Sequence, residues 1–214
     1  MMSNDALILD LATNLAPVRR RSMARETLLL AALGATELAL VLGLGAMRHD
    51  MGMMIGSAYM LWRMGSLAIL AGISCTVAIR SFAPTASPRR GVMLVFLLAV
   101  LAMVGGAFVG TAADSGRALL DRISPANGLL CAVSIVVLAV PVMAMLGILM
   151  RRAAPAHPEG SALASGLAAG TVGALIFAFC CPMNDPLYIV VWYGAGCAAV
   201  TAIARWLLPR RYRL

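Results

Sequence analysis

The sequence predicts an all-α, polytopic membrane protein with six transmembrane helices, and three observations support this fold class. Of the 214 residues, 62% are hydrophobic and 12% are charged, whereas soluble domains average about 45–50% apolar and about 25% charged residues. Six apolar stretches reach the length of about 20 residues that crosses a bilayer as a helix. Arginine is concentrated in alternate connections between these stretches. The composition excludes a disordered chain and a small secreted domain held by disulfides.

The predicted spans follow one another with short connections, so no separate soluble domain is expected. They cover residues 27–46, 59–79, 91–111, 128–150, 161–180 and 187–208. Charged interruptions are few: Glu37 lies in the first span, Arg63 in the second and Arg205 near the end of the sixth. The chain is therefore divided into a cytoplasmic amphipathic arm (residues 1–26), a six-helix bundle (27–208) and a basic cytoplasmic tail (209–214).

The distribution of charge sets the expected orientation. The net charge is +8, and all 17 basic residues are arginines. Thirteen arginines fall on the side that carries both termini, and three (Arg48, Arg117 and Arg122) fall on the other side. The positive-inside rule then places both termini in the cytoplasm. The basic charge is attributed to topology and anionic lipid, so no direct contact with nucleic acid is expected. No cleaved signal peptide is expected either.

The arm carries a pattern that predicts a short amphipathic helix. Leucines recur at helical spacing, flanked by two carboxylates and followed by Pro17 and three arginines. The residues concerned are Asp5, Leu7, Ile8, Asp10, Leu11, Leu15, Arg19, Arg20 and Arg21. A helix of about 12 residues is not stable alone in water. Its apolar face needs either the groove of a partner or a bilayer surface, and the pattern alone favours neither.

Three of the five cysteines are expected at one depth of the membrane. Cys131 begins the fourth span, while Cys180 and Cys181 end the fifth, and both of these helix ends face the periplasm in the predicted topology. Such thiols can form a disulfide or bind a soft metal ion. A bridge requires Cα atoms within about 7 Å, which antiparallel neighbours provide. A functional thiol pair is favoured over three unconnected small residues.

Two further groups are weaker candidates. His49 and the methionines around it could bind a soft metal ion, although packing or lipid contact is favoured for methionine in so apolar a chain. Glu37 lies near the middle of the first span, where a carboxylate is costly. Pairing with a neighbouring helix is favoured over a proton site. Arg63 is expected to extend outward to the membrane surface rather than reach Glu37.

The fifth and sixth spans and the arm carry a family resemblance. The segments DALILDLATNLAPVRRR (residues 5–21) and FCCPMNDPLYIVVWYG (residues 179–194) resemble the NrsF-type integral-membrane anti-sigma factors of proteobacteria. The six-span layout matches over nearly the whole chain. The resemblance implies an inhibitor that holds an ECF-type sigma factor at the inner membrane, with the arm as its docking region.

The same resemblance implies a role for cysteines. Two periplasm-facing cysteines of the family are implicated in responding to heavy metals or oxidants, and they correspond here to Cys131 and Cys181. These two are also the candidate metal ligands, while the adjacent Cys180 leaves the second assignment open. Release of the sigma factor would follow from a shift of the fourth and fifth spans.

Other classes of function remain open at the level of the sequence. No nucleophile, acid–base or nucleotide motif is recognisable, so the chain is not expected to be an enzyme or to need a cofactor. A small transporter or metal exporter would use Glu37 and the outer methionine, histidine and cysteine groups as a pathway. A structural subunit of a larger membrane complex is a third reading.

Overall fold

A computed structural model describes residue 13 and residues 22–48, 51–83, 86–110, 125–153 and 155–210 of the chain. Within these ranges the fold is all-helical. The helices are α1 (Met23–Gly43), α2 (Met51–Met54), α3 (Ala58–Ser81), α4 (Arg89–Gly110), α5 (Pro125–Ala153), α6 (Pro158–Phe177) and α7 (Pro186–Arg210). All except the four-residue α2 contain a stretch long and apolar enough to cross a membrane. The predicted fold class is therefore confirmed. The arm residues named above lie outside the described residues.

Capping side chains fix several helix ends within a few residues of the predicted positions. The Arg25 backbone N–H donates to the Ser22 hydroxyl at 3.4 Å, so α1 begins four residues before the predicted span. Ser57 caps α3 in the same way. The fifth span is shifted by three residues at both ends, because α6 begins at Pro158 and stops at Phe177. Cys180 and Cys181 thus lie in the connection to α7 rather than in the helix.

The six long helices run alternately up and down, so every second connection lies at the same end of the bundle. We call one of these the cysteine end; it comprises residues 44–48 and 51–57, the first two turns of α5 and residues 178–185. The opposite end carries the start of α1, the end of α7 and the other connections. Because the number of long helices is even, the start of the first and the end of the last share a side.

The central helix of the bundle is α6, which packs against α3, α5 and α7. Twelve of its 20 residues are buried, and most of them are alanine, glycine or serine. A Cβ atom on Gly173 would lie 2.8 Å from the Ile135 carbonyl oxygen, and one on Gly166 would lie 2.6 Å from the Thr201 Cα. Such close backbone approach is how helices associate in membranes, where apolar side chains gain nothing from leaving lipid.

The first helix is peripheral. Of the 21 residues of α1, Leu30 is the one that is buried, and leucines such as Leu28 and Leu40 point outward. The helix rests against α3, α5 and α6. On the other side of the bundle, α4 likewise exposes a row of large apolar side chains. These surfaces have the character of lipid-facing helix faces.

Candidate functional site

The candidate site is built on the short connection from α6 to α7. Its last residues form a helix start that is readable from the sequence: Asp185 accepts a hydrogen bond from the Leu187 backbone N–H at 2.9 Å, and Pro186 occupies the first helical position. At the other side, the Cys181 backbone N–H donates to the Phe177 carbonyl at 3.0 Å. The connection is therefore anchored at both ends, and Cys181 has a defined position.

A pair of thiols from different elements meets at this connection. Cys131, in the second turn of α5, and Cys181 lie together in one buried cluster. The Sγ of Cys131 also lies 3.1 Å from the Tyr188 hydroxyl on α7. Cys181 is 0% exposed and Cys131 is 7% exposed. All five cysteines are free thiols. The geometry thus brings together a buried pair of cysteines.

The structure distinguishes the two adjacent cysteines, which the sequence could not. Cys181 is buried and faces Cys131. Cys180 is partly exposed and does not face Cys131. The hydrogen bond from Cys131 and the positive charge of Arg63 lower the pKa of the Cys181 thiol. Burial and the neighbouring Cys181 raise the pKa of the Cys180 thiol. Of the two thiols, Cys181 therefore has the greater thiolate character.

Arg63 lies inside the site, and the expectation that it extends outward to the membrane surface is wrong. It is 1% exposed. Its Nη1 donates to the Met183 carbonyl oxygen at 3.1 Å, its Nη2 donates to the Tyr193 hydroxyl, and the guanidinium lies over the Tyr193 ring at 5.2 Å. Its Nε has no hydrogen-bond partner. These contacts hold the side chain inward, since a guanidinium that finds acceptors within the protein need not reach water.

A second arginine, in the chain that follows α1, binds the same connection. Arg48, which is 6% exposed, donates from Nη1 to Asn184 Oδ1 at 2.8 Å and to the Cys181 carbonyl oxygen at 3.4 Å. Its backbone N–H donates to the Phe179 carbonyl oxygen at 3.4 Å. Two guanidinium groups from different elements therefore bind the segment that carries Cys181.

The site offers two thiols for chemistry. Within the ranges that the structure covers, no group of three or more histidine, cysteine, aspartate or glutamate side chains could hold a metal ion. A soft cation would thus be bound by Cys131 and Cys181, with the Tyr188 hydroxyl nearby, rather than by a closed four-ligand cage. The alternative chemistry is oxidation of the pair to a disulfide.

The other sequence candidates lie outside this site. Glu37 does not pair with a neighbouring helix: its Oε2 is buried and has no hydrogen-bond partner. His49 is outside the described residues, and so are the candidate docking residues of the arm. Cys197 and Cys75 pack against the two apolar cores of the bundle.

Sequence reasoning missed the site's arginines and tyrosines. Arg63 was visible as a charge inside a span, which by default indicates function, but its outward extension was assumed. Tyr188 and Tyr193 were part of the quoted FCCPMNDPLYIVVWYG segment without a role of their own. Arg48 was counted only as a topology residue. Their meeting depends on how each helix is rotated about its axis, which hydropathy does not report.

The fold and the site define a class: an integral-membrane helical protein whose buried polar groups gather around a pair of cysteines at one end of the bundle. The family model described as "Negative regulator of sigma F" (NrsF) matches residues 11–213. The chain therefore belongs to the NrsF family of anti-sigma factors, which are regulatory rather than catalytic proteins acting on a sigma factor.

Curated relatives agree with this membership. The chain is 28% identical over 204 residues to the anti-sigma-F factor NrsF of Caulobacter vibrioides, covering 94% of this chain and 93% of that protein. It is 27% identical over 211 residues to the probable anti-sigma-F factor NrsF of Azospira oryzae, covering 94% and 95%. No solved structure matches the chain.

Proposed function

We propose that this chain holds an ECF-type sigma factor at the cytoplasmic face of the bacterial inner membrane and releases it when Cys131 and Cys181 react with a soft metal ion or an oxidant. The observation that carries the proposal is that these two thiols, one from α5 and one from the α6–α7 connection, lie together in a single buried cluster. A reaction that joins the two sulfurs must change how these elements pack.

Both reactions are balanced at this pair. A soft divalent cation bound by the two sulfurs displaces the protons that the thiols carry. Alternatively, a peroxide oxidises the pair: the two thiols give up two electrons and two protons, one S–S bond forms, and the peroxide is reduced to water. Either product requires the sulfurs to move from hydrogen-bond distance to a shared ligand or a covalent bond.

The distribution of arginines supports the proposed orientation, with the cysteine end in the periplasm and the arm in the cytoplasm. In this arrangement Leu7, Leu11 and Leu15 form the docking face for the sigma factor. Asp5, Asp10 and the arginine run set its orientation. The reaction at the thiols must supply about 5.5 kcal/mol of differential binding to change the bound-to-released ratio from 99:1 to 1:99. A soft metal on two thiolates can supply this amount, whereas an exposed ion pair, worth about 1 kcal/mol or less, cannot.

Deletion of the arm tests the docking half of the proposal. The full-length protein and a Δ1–26 version are purified in detergent from the organism's own cells, and the proteins retained with each are identified by mass spectrometry. We expect a sigma factor with the full-length chain and none with Δ1–26. A sigma factor retained equally by both versions would contradict docking through the arm. Its absence from both would contradict the proposal as a whole.

Substitution of the thiols tests the sensing half. We expect Cys131→Ser/Cys181→Ser to retain the sigma factor but to lose release by cadmium chloride or hydrogen peroxide. The matched control is Cys180→Ser, which removes the neighbouring thiol outside the pair and should respond as the wild type does. A normal response from the double variant, measured as transcription from a promoter of that sigma factor, would refute the role of the pair.

The described cavity between the helices does not favour transport. A cavity of about 460 Å³ between α3, α4, α6 and α7 is lined mainly by apolar side chains such as Leu67, Phe96 and Leu167. Glu37 does not line this cavity. The carboxylate and the thiol site are therefore not joined by it into a polar pathway.

A further inference from the structure

The position of α1 beside the cysteine end bears on how a change at the thiols reaches the arm. The arm leads directly into α1, so a change at the thiols must reach α1 or its cytoplasmic end to affect the arm. Along its length α1 is held weakly, since Leu30 is its one buried residue. Elements with few buried contacts are the ones that shift at low cost.

After α1 ends, the chain turns back to the bundle and becomes buried at Arg48. Gly45, with φ of 74°, allows the turn. Three residues later the Arg48 side chain is 6% exposed and bonded to Asn184 Oδ1 at 2.8 Å and to the Cys181 carbonyl at 3.4 Å. The backbone carbonyl that it contacts thus belongs to the residue whose thiol contacts Cys131.

We propose that Arg48 is the positioning residue that couples the state of the Cys131–Cys181 pair to α1, and through α1 to the arm. This inference rests on the proposed function. A reaction that draws the Cys181 sulfur toward Cys131 moves the backbone of residue 181, and a hydrogen bond of 3.4 Å does not tolerate much displacement. The buried Arg48 guanidinium must then move with its acceptors or lose its hydrogen bonds to them. Either outcome changes how the chain that follows α1 is held at the cysteine end.

Arg63 offers a matched comparison for this proposal. It also is buried, and it also donates to the α6–α7 connection, at the Met183 carbonyl. It differs in its origin, because it extends from α3 and not from the chain that follows α1. A role in merely holding the connection would be shared by both arginines, whereas coupling to α1 requires Arg48.

The experiment uses the full-length protein in nanodiscs, carrying its bound sigma factor, with cadmium chloride as the probe. Protection of Cys131 and Cys181 from alkylation reports the reaction at the thiols, and retained sigma factor reports the output. Hydrogen exchange in α1 reports the step between them. For Arg48→Met we expect normal protection of the thiols, at least fivefold less release per protected thiol, and loss of the cadmium-induced change in α1 exchange. Arg63→Met should keep the wild-type ratio of release to protection.

Several results would overturn the inference. Wild-type release per protected thiol in Arg48→Met would do so, and so would an equal loss in Arg63→Met, which would mean that only the integrity of the connection matters. Should Arg48→Met fail to fold, Asn184→Ala and Asn184→Asp take its place: the first removes the acceptor for Arg48 and should uncouple, while the second replaces the amide oxygen with a carboxylate oxygen that still accepts from Arg48 and should not. If the wild type binds no sigma factor, the proposed function fails. The cadmium-induced change in hydrogen exchange of α1, compared between the wild type and the variants, then still tests whether Arg48 couples the thiols to α1.

Discussion

The helices α6 and α1 have the same mean hydropathy, yet one forms the centre of the bundle and the other lies at its edge. Their difference is in side-chain size: α6 is rich in glycine, alanine and serine, and α1 is rich in leucine. In water both would be drawn into a core by their apolar surface. In a bilayer, lipid solvates leucine as well as protein does, so close backbone contact decides which helix is central. The comparison teaches that here hydropathy predicts insertion, while residue size predicts position.

The largest expected effect comes from adding one methyl group to each helix. In Gly173→Ala the new Cβ would lie 2.8 Å from the Ile135 carbonyl oxygen and 3.0 Å from the Ala139 backbone nitrogen, and backbone cannot yield as a side chain can. We expect a loss of about 1–3 kcal/mol of stability. The matched variant is Gly34→Ala in α1, where the nearest atom, Val172 Cγ1, is at an ordinary 3.7 Å.

Gly34→Ala should be neutral or gain up to about 1 kcal/mol, because alanine favours the helix. Thermal unfolding of the detergent-solubilised variants, followed by size-exclusion chromatography after heating, measures both. Equal destabilisation by the two substitutions would show that α1 is packed as tightly as α6, contrary to the comparison.

A second effect concerns the end of α6, where the two adjacent cysteines differ. Since the pKa of Cys181 is lowered and that of Cys180 is raised, their alkylation should depend differently on pH. Alkylation of Cys180 should fall about tenfold for each pH unit below 8, whereas alkylation of Cys181 should stay nearly constant until the pH falls to its lowered pKa. Site-resolved mass spectrometry measures both in one sample, each rate relative to its own value at pH 8. Parallel profiles would contradict the described environment of Cys181.

The smallest effect compares two helix caps of the same chemistry. Ser22→Ala at α1 and Ser57→Ala at α3 each remove a hydroxyl that accepts from a backbone N–H, at 3.4 Å and 3.2 Å. Each should cost about 0.5–1 kcal/mol. At the packed α3 the loss should lower the thermal midpoint of the whole bundle, whereas at the peripheral α1 it should appear mainly as faster hydrogen exchange over the first turn. A drop of the global midpoint in both variants would remove the distinction between them.

What could be predicted from the sequence divides in the same way, because hydropathy predicts which segments insert but not how they pack. The six spans could be predicted because a helix in lipid must satisfy its own backbone, so length and hydropathy suffice. Their ends were displaced by as many as four residues at Ser22 and three at Phe177, where a cap or the onset of a turn decides. The common depth of Cys131 and Cys181 was also readable. Two features could not be predicted: which cysteine faces inward, and the convergence of Arg63 and Arg48 on that connection. Both depend on the rotation of the helices about their axes and on the path of a loop.

The burial of Cys181 also limits the rate of any reaction at its thiol. With none of its surface exposed, the thiol is reached only while residues 178–185 are briefly open. When the reagent is scarce, the rate is proportional to its concentration, whereas an abundant reagent reacts no faster than the connection opens. A brief pulse of even a concentrated reagent then modifies few molecules, and a sustained low dose modifies many. Under the function proposed above, the release of the sigma factor would therefore depend on how long an exposure lasts more than on its peak concentration.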